Sequence, residues 1–141
     1  MDDRYDLERF VSAQDDDGTY DRALAEVRRG RKVTHWMWFV FPQLAGLGHS
    51  AMAQRYAIAS LAEAQAYLAH PLLGPRLVVC ATAVIEAPAP SAEAIFGAVD
   101  ARKLRSSMTL FLRADPAGTV FQAVLDARFD GTADAATDRL L

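Results

Sequence analysis

Seven consecutive residues, His35-Trp-Met-Trp-Phe-Val-Phe41, carry four of the thirteen aromatic side chains in the chain. Trp36, Trp38, Phe39 and Phe41 belong out of water, since burying each is worth about 1.5–3 kcal/mol. The run is apolar on every side, so periodicity alone does not separate a buried helix from a buried strand. Either way other elements must cover it, and this demands a core. Its bulk and aromatic content favour a strand. Thr34 as a cap and the helical character of the flanking sequence favour a helix. The expectation is a short central helix that ends before Pro42.

Around this run the spacing is helical. Tyr20, Leu24 and Val27 fall at i, i+4 and i+7, one apolar stripe on a helix running to about Gly30. Thr19 or Asp17 can cap its start, and Gly30 suits the left-handed position after its last turn. Leu7, Phe10 and Val11 mark a shorter helix before it. Ser60-Leu-Ala-Glu63 is a capping box, and the helix it opens should stop near His70, because Pro71 disfavours helical geometry in the preceding residue. Leu73, Leu77, Cys80, Ala81 and Val84 share one side of the next helix, which ends before Pro88. Leu104, Met108 and Phe111 form another core-facing stripe. Asp115-Pro116 looks like a cap and first-turn proline for a helix burying Val120, Phe121, Val124 and Leu125. Thr132 can cap a last short helix. No repeat and no Gly/Ser or Pro-rich linker interrupts the chain. The prediction is one all-α domain over residues 1–141, a compact non-repetitive bundle of six to eight helices. The 20–27, 77–84, 104–111 and 120–125 stripes should pack around segment 35–41.

Composition excludes several classes. With 141 residues and 52% hydrophobic content, the chain is long and apolar enough for a core and is not disordered throughout. One cysteine, Cys80, cannot form an internal disulfide, and in an apolar helix it packs rather than reacts. The longest apolar stretch, residues 77–85, is far short of the ~20 residues that cross a bilayer. No secretory leader is visible at the acidic start, so the cytoplasm is the expected location. Residues 1–21 hold eight acidic and two basic side chains, and residues 22–32 hold five basic and one acidic. Opposite charges so close together read as a solvated surface. Arg28-Arg-Gly-Arg-Lys32 has no interleaved aromatics and makes nucleic acid an unlikely partner. His35, His49 and His70 lack metal-ligand spacing, so no metal site is expected.

Three segments combine polar groups with features that suit a ligand. The aromatic run is bracketed by His35 and Gln43, and one indole, Trp36 or Trp38, could line a cleft and stack on a flat ring. Gly46-Leu-Gly48-His49-Ser50 leads towards Arg55; it is either a plain loop with a Ser50 cap or a loop that approaches an anion. It matches neither a Walker sequence nor a dinucleotide fingerprint, and no cofactor is expected. Asp100, Lys103 and Ser107 lie at i, i+3 and i+7, one stripe of a helix that also carries Ser106. As a bland alternative, these are an exposed ion pair and small packing hydroxyls. As a site, they place phosphate near the glycine loop with Arg55 or Lys103, and leave His35, Gln43 and Asp100 to orient polar groups. His35 or Asp100 would then be the candidate general base.

The motifs His35-Trp-Met-Trp-Phe-Val-Phe-Pro-Gln43, Gly48-His-Ser-Ala-Met-Ala-Gln-Arg-Tyr-Ala-Ile58, Tyr67-Leu-Ala-His-Pro-Leu-Leu-Gly-Pro-Arg-Leu77, Ile95-Phe-Gly97 and Lys103-Leu-Arg-Ser-Ser-Met-Thr-Leu-Phe111, closed by Asp134 and Thr137, resemble domain-of-unknown-function family 1810 over about residues 5–141. The resemblance implies a small, mainly helical bacterial domain with no established activity, and it carries over no catalytic residue. Two functions stay open at this point. One is a small-molecule site for a nucleotide or an ADP-ribose-like phosphate. The other is a non-catalytic module that meets a protein partner. The first draws its contacts from Trp36, Trp38, Gln43, His49, Ser50, Arg55, Lys103, Ser106 and Ser107, and predicts that polar groups of the three segments converge on one concavity, with at least one of His35, Gln43 and His49 within roughly 6 Å of Lys103, Ser106 or Ser107. The second would leave them scattered.

Overall fold

The computed structural model describes residues 3–141, which form nine α-helical segments and no sheet. They are α1 (Glu8–Asp15), α2 (Thr19–Arg29), α3 (Met37–Val40), α4 (Ala51–Arg55), α5 (Leu61–Ala69), α6 (Leu73–Glu86), α7 (Ala92–Ala114), α8 (Thr119–Arg128) and α9 (Ala135–Leu140). The all-α bundle is as expected, and two of its segments, α3 and α4, are only four and five residues long. No single helix among the described residues is long and apolar enough to cross a membrane.

Several ends follow the local chemistry of the sequence. Gly30 closes α2 in the left-handed conformation (φ 83°), and a side chain there would press on the Pro88 carbonyl at 3.0 Å. Ser60 Oγ accepts from the Glu63 amide at 3.1 Å; the Glu63 carboxylate reaches back one residue further than in the usual box, to the Ala59 amide. Three expected caps fall elsewhere. Helix α2 starts after Gly18 with no side-chain cap, because the left-handed Asp17 and Gly18 turn the chain and Thr19 Oγ donates back to the Asp16 carbonyl. Asp115 and Pro116 form a turn that precedes α8, with Asp115 Oδ1 accepting from the Gly118 amide, and the helix begins only at Thr119. Asp134, not Thr132, caps α9, accepting from the amide and hydroxyl of Thr137.

The core is centred differently from the expectation. Segment 36–41 is buried except for the part-exposed Trp38, and α3 is its short helix, but α3 packs on α1. The middle belongs to α7, which contacts α5, α8 and α9 and is buried without interruption from Ser106 to Leu112. A second layer, α6, lies against α2, α5 and α8. Aromatic rings link the two regions. Trp36, Phe41 and Phe96 form a triangle with centroids 6.2–6.4 Å apart, and Tyr67 stacks obliquely on Phe111 at 5.2 Å.

Buried polar groups lock the loops onto this core. All five N–H groups of Arg9 find acceptors: the carbonyls of Tyr5, Asp6, Arg55 and Ala57, and the Glu63 carboxylate. Arg128 donates to the carbonyls of Val84, Ala87 and Ala89, satisfying the end of α6 and its exit. Glu26, 2% exposed, accepts from the amides of Val33 and Thr34, the Thr34 hydroxyl and the Trp36 indole at 2.6–3.0 Å. Burial alone would raise the Glu26 pKa, but these hydrogen bonds outweigh it and bring the group from an ordinary 4.5 down to about 2.

A folded-state pKa below the unfolded one stabilises the fold fully above pH 4.5, and that contribution is lost as pH falls through 2. Glu26 therefore contributes about 3 kcal/mol at neutral pH. Urea unfolding should show Glu26→Gln less stable by roughly 2–4 kcal/mol at pH 7, with the gap to the parent protein shrinking at pH 3. A pH-independent gap would mean that the carboxylate charge does not matter.

Candidate functional site

The kink in α7 creates the site. Gly97 (φ 80°, ψ 165°) breaks the helix, so residues from Ala98 onward restart in a new direction. Val99, Arg102, Lys103 and Ser106 then fall on one stripe by helical spacing and form one wall of a cleft of about 290 Å3. The facing wall is Gln43, Leu47 and Gly48 from the glycine loop, and Asp134 with Ala136 closes one side.

Each wall is fixed from behind. The Gln43 carbonyl accepts from the Ile58 amide, and Ala45 donates to the Ile58 carbonyl, both at 2.8 Å, in an isolated parallel bridge between Leu44 and Ile58. Gly46 sits at φ 100° against Leu140 of α9. Gly48 must lack a side chain: a Cβ there would lie 2.6 Å from the Ala53 Cβ and 4.0 Å from Gln43 Oε1. Ser106 Oγ reaches the Arg102 carbonyl and the Asp134 carboxylate. The Thr109 hydroxyl accepts from the Asp134 amide, and Arg105 holds the carbonyls of Thr132 and Ala133.

Beside the cleft, Asp100 stands between the two lysines of the chain. Its Oδ2 is 3.1 Å from Lys32 Nζ and its Oδ1 is 3.6 Å from Lys103 Nζ. Each ammonium also lies over an indole, Lys32 at 5.0 Å from Trp36 and Lys103 at 5.7 Å from Trp38. Arg102, by contrast, has no hydrogen bond or ion pair to its guanidinium among the described residues. The cleft therefore presents one unpaired cation and one loosely paired one. Such a surface can hold an anion, with the Gln43 amide available to donate a hydrogen bond, whereas the Ser106 hydroxyl is committed to the Arg102 carbonyl and the Asp134 carboxylate.

The sequence-derived residues are divided by this geometry. Gln43, Lys103 and Ser106 line the cleft together, and Asp100 and Trp38 adjoin it through Lys103. Trp36 is fully buried and bonded to Glu26, so it has no face to offer a ligand; of the two indoles only Trp38 is part-exposed. His35 and His49 are exposed and are not among the cleft walls, and Ser50 serves as the cap of α4, accepting from Ala53. Arg55 lies over Tyr56 in a separate cavity with Asp6, Arg9 and Asp16. Ser107 is buried, and its Oγ has no hydrogen-bond partner. Asp100 turns both oxygens to lysines, which suits an electrostatic partner better than a proton acceptor.

Sequence reasoning missed Lys32, Arg102 and Asp134. Arg102 was within reach, being four residues before Ser106 on the same helical face. Lys32 was not, because it looks like one more member of the basic run; Arg28, Arg29 and Arg31 are exposed, whereas the Lys32 side chain is turned inwards.

The model of the family described as "Protein of unknown function (DUF1810)" matches residues 4–141 of the chain. No curated protein matches it. Among solved structures, it is similar to the crystal structure of the conserved hypothetical protein Rv1873 from Mycobacterium tuberculosis, with 53% sequence identity and a TM-score of 0.95. The likeness covers 99% of this chain and 98% of that one.

The packing behind the glycine loop is directly testable. Gly48→Ala should cost about 1–3 kcal/mol in urea unfolding, because the added methyl overlaps Ala53. An unchanged midpoint would show that the loop is not seated on α4.

Proposed function

The chain belongs to the DUF1810 family of proteins of unknown function, and since that membership brings no activity with it, we propose from the cleft itself that the domain binds a small phosphate-bearing molecule there, of the nucleotide or ADP-ribose class. One observation carries this reading. Residues far apart in the chain, Gln43 and Gly48, Arg102, Lys103 and Ser106, and Asp134, meet in one cleft whose Arg102 guanidinium has no partner among the described residues. An unpaired guanidinium beside an ammonium is the arrangement that planar, multidentate recognition of phosphate uses. The volume, about 290 Å3, sits at the lower edge of the ~300–1,000 Å3 typical of ligand pockets. It matches a phosphate with its adjoining sugar, so the remainder of a larger ligand would lie outside the cleft.

A non-catalytic interaction module is the second reading. It is favoured by Val78 and Val79, adjacent and exposed on α6, which line an apolar groove with Leu68 and Phe121 that shares no residue with the cleft.

A thermal-shift series with nucleotides and ADP-ribose separates the two. Ligand at 100-fold its Kd stabilises by about 2.7 kcal/mol, a clear rise in melting temperature. Arg102→Ala, an exposed substitution expected to change stability by less than ~0.5 kcal/mol, should abolish most of the rise. No shift with any phosphate ligand at millimolar concentration would contradict the first reading and favour the second.

A further inference from the structure

We propose that the ligand carries a terminal phosphate monoester next to a flat ring: Arg102 and Lys103 take the phosphate, and Trp38 takes the ring once Lys103 leaves its face. This inference rests on the cleft being a phosphate site.

The two lysines share Asp100 but are held very differently. Lys32 Nζ is 3.1 Å from Asp100, donates to the Thr34 carbonyl at 2.7 Å, and has a side chain only 7% exposed. Lys103 Nζ has the longer 3.6 Å contact and the more distant indole, and its side chain is 27% exposed. The fixed ammonium keeps the carboxylate in place. The loose one is free to follow an incoming anion, because Asp100 keeps Lys32 as partner when Lys103 departs.

Charge selects the kind of phosphate. The cations that face the cleft are Arg102 and Lys103; Lys32 stays with Asp100, and Asp134 is already engaged by Ser106 and Thr137. Together these two cations complement a monoester, which carries about −1.5 to −2 at neutral pH, better than a diester with a single charge. Geometry selects the ring. Trp38 is the part-exposed indole, and the charged group over it is the loosely held Lys103. With Lys103 drawn to the phosphate, that face is open to stacking, which any flat ring can use. A nucleoside 5′-monophosphate joins the two features, with its sugar in the cleft.

Calorimetric titration of the full chain with four probes tests this: adenosine 5′-monophosphate, ribose 5-phosphate, adenosine 3′,5′-cyclic monophosphate and adenosine. The monophosphate should bind at least about tenfold more tightly than ribose 5-phosphate, which lacks the ring, and than the cyclic diester. Adenosine should not bind at millimolar concentration. Trp38→Leu should lower affinity for the monophosphate to that for ribose 5-phosphate and leave the latter unchanged; if the variant does not fold, the probe series on the parent protein decides alone. Equal affinity for the monophosphate and ribose 5-phosphate overturns the ring, and equal affinity for the cyclic diester overturns the monoester. In both cases phosphate binding at the cleft still stands. Silence of all four probes while ADP-ribose raises the melting temperature overturns this inference alone. Silence throughout overturns it together with the reading on which it rests.

Discussion

A carboxylate taken out of water without a cation beside it is the constraint on which the architecture turns. Glu26 has no ion pair among the described residues and is almost wholly buried, a state that costs several kcal/mol unless every lone pair is matched. Its match is the segment immediately after α2: two amides, a hydroxyl and the Trp36 indole. Satisfying one charge thus dictates the path of residues 33–36. That path carries Trp36 into the triangle with Phe41 and Phe96, and so fixes the aromatic segment against the first half of α7.

The same path turns Lys32 inwards. Its amide donates to the Ile95 carbonyl at 2.7 Å, two residues before the Gly97 kink, and its ammonium meets Asp100 just beyond the kink. The loop and the bent helix therefore brace each other at the point where the cleft begins. Lys103 and Arg102 follow on the next turn, with Gln43 and the glycine loop placed opposite by the bridge to Ile58. The position of the cationic wall is in this sense a consequence of how a buried acid, 76 residues before Arg102 in the chain, is satisfied, through one continuous set of hydrogen bonds and ion pairs.

The helices were legible because their signals are local. Stripes such as Leu73, Leu77, Cys80, Ala81 and Val84, stops such as Gly30 and Pro71, and the Ser60 cap depend on residues within a few positions of one another, and all five stripe residues are buried. Segment 35–41 was recognisable as core but not as peripheral to α7, because its neighbours come from α1 and Phe96, which no spacing reveals. Caps went astray where a competing local bond won, as when Thr19 bonded back to Asp16. In the site, Gln43, Lys103 and Ser106 were found from polar residues beside aromatic or helical patterns. Lys32 and Asp134 were hidden because their partners lie 68 and 28 residues away in sequence, on Asp100 and Ser106. Trp36 and Trp38 look equivalent in sequence, and only the hydrogen bond to Glu26 makes one of them structural.

Of the two lysines, Lys32 is fixed by Asp100 and Thr34, and Lys103 is the one we propose meets an anion. Because the chain has only two lysines, NMR of their 15N-labelled side-chain ammonium groups observes both without ambiguity. Before ligand, Lys32 should give a slowly exchanging signal, protected by Asp100 and Thr34, while the Lys103 signal is broadened by exchange with water. Titration with adenosine 5′-monophosphate should sharpen and shift the Lys103 signal and leave Lys32 in place. A Lys103 signal unmoved at saturation, or a Lys32 signal that exchanges as fast as Lys103, would contradict this division of roles between the two lysines.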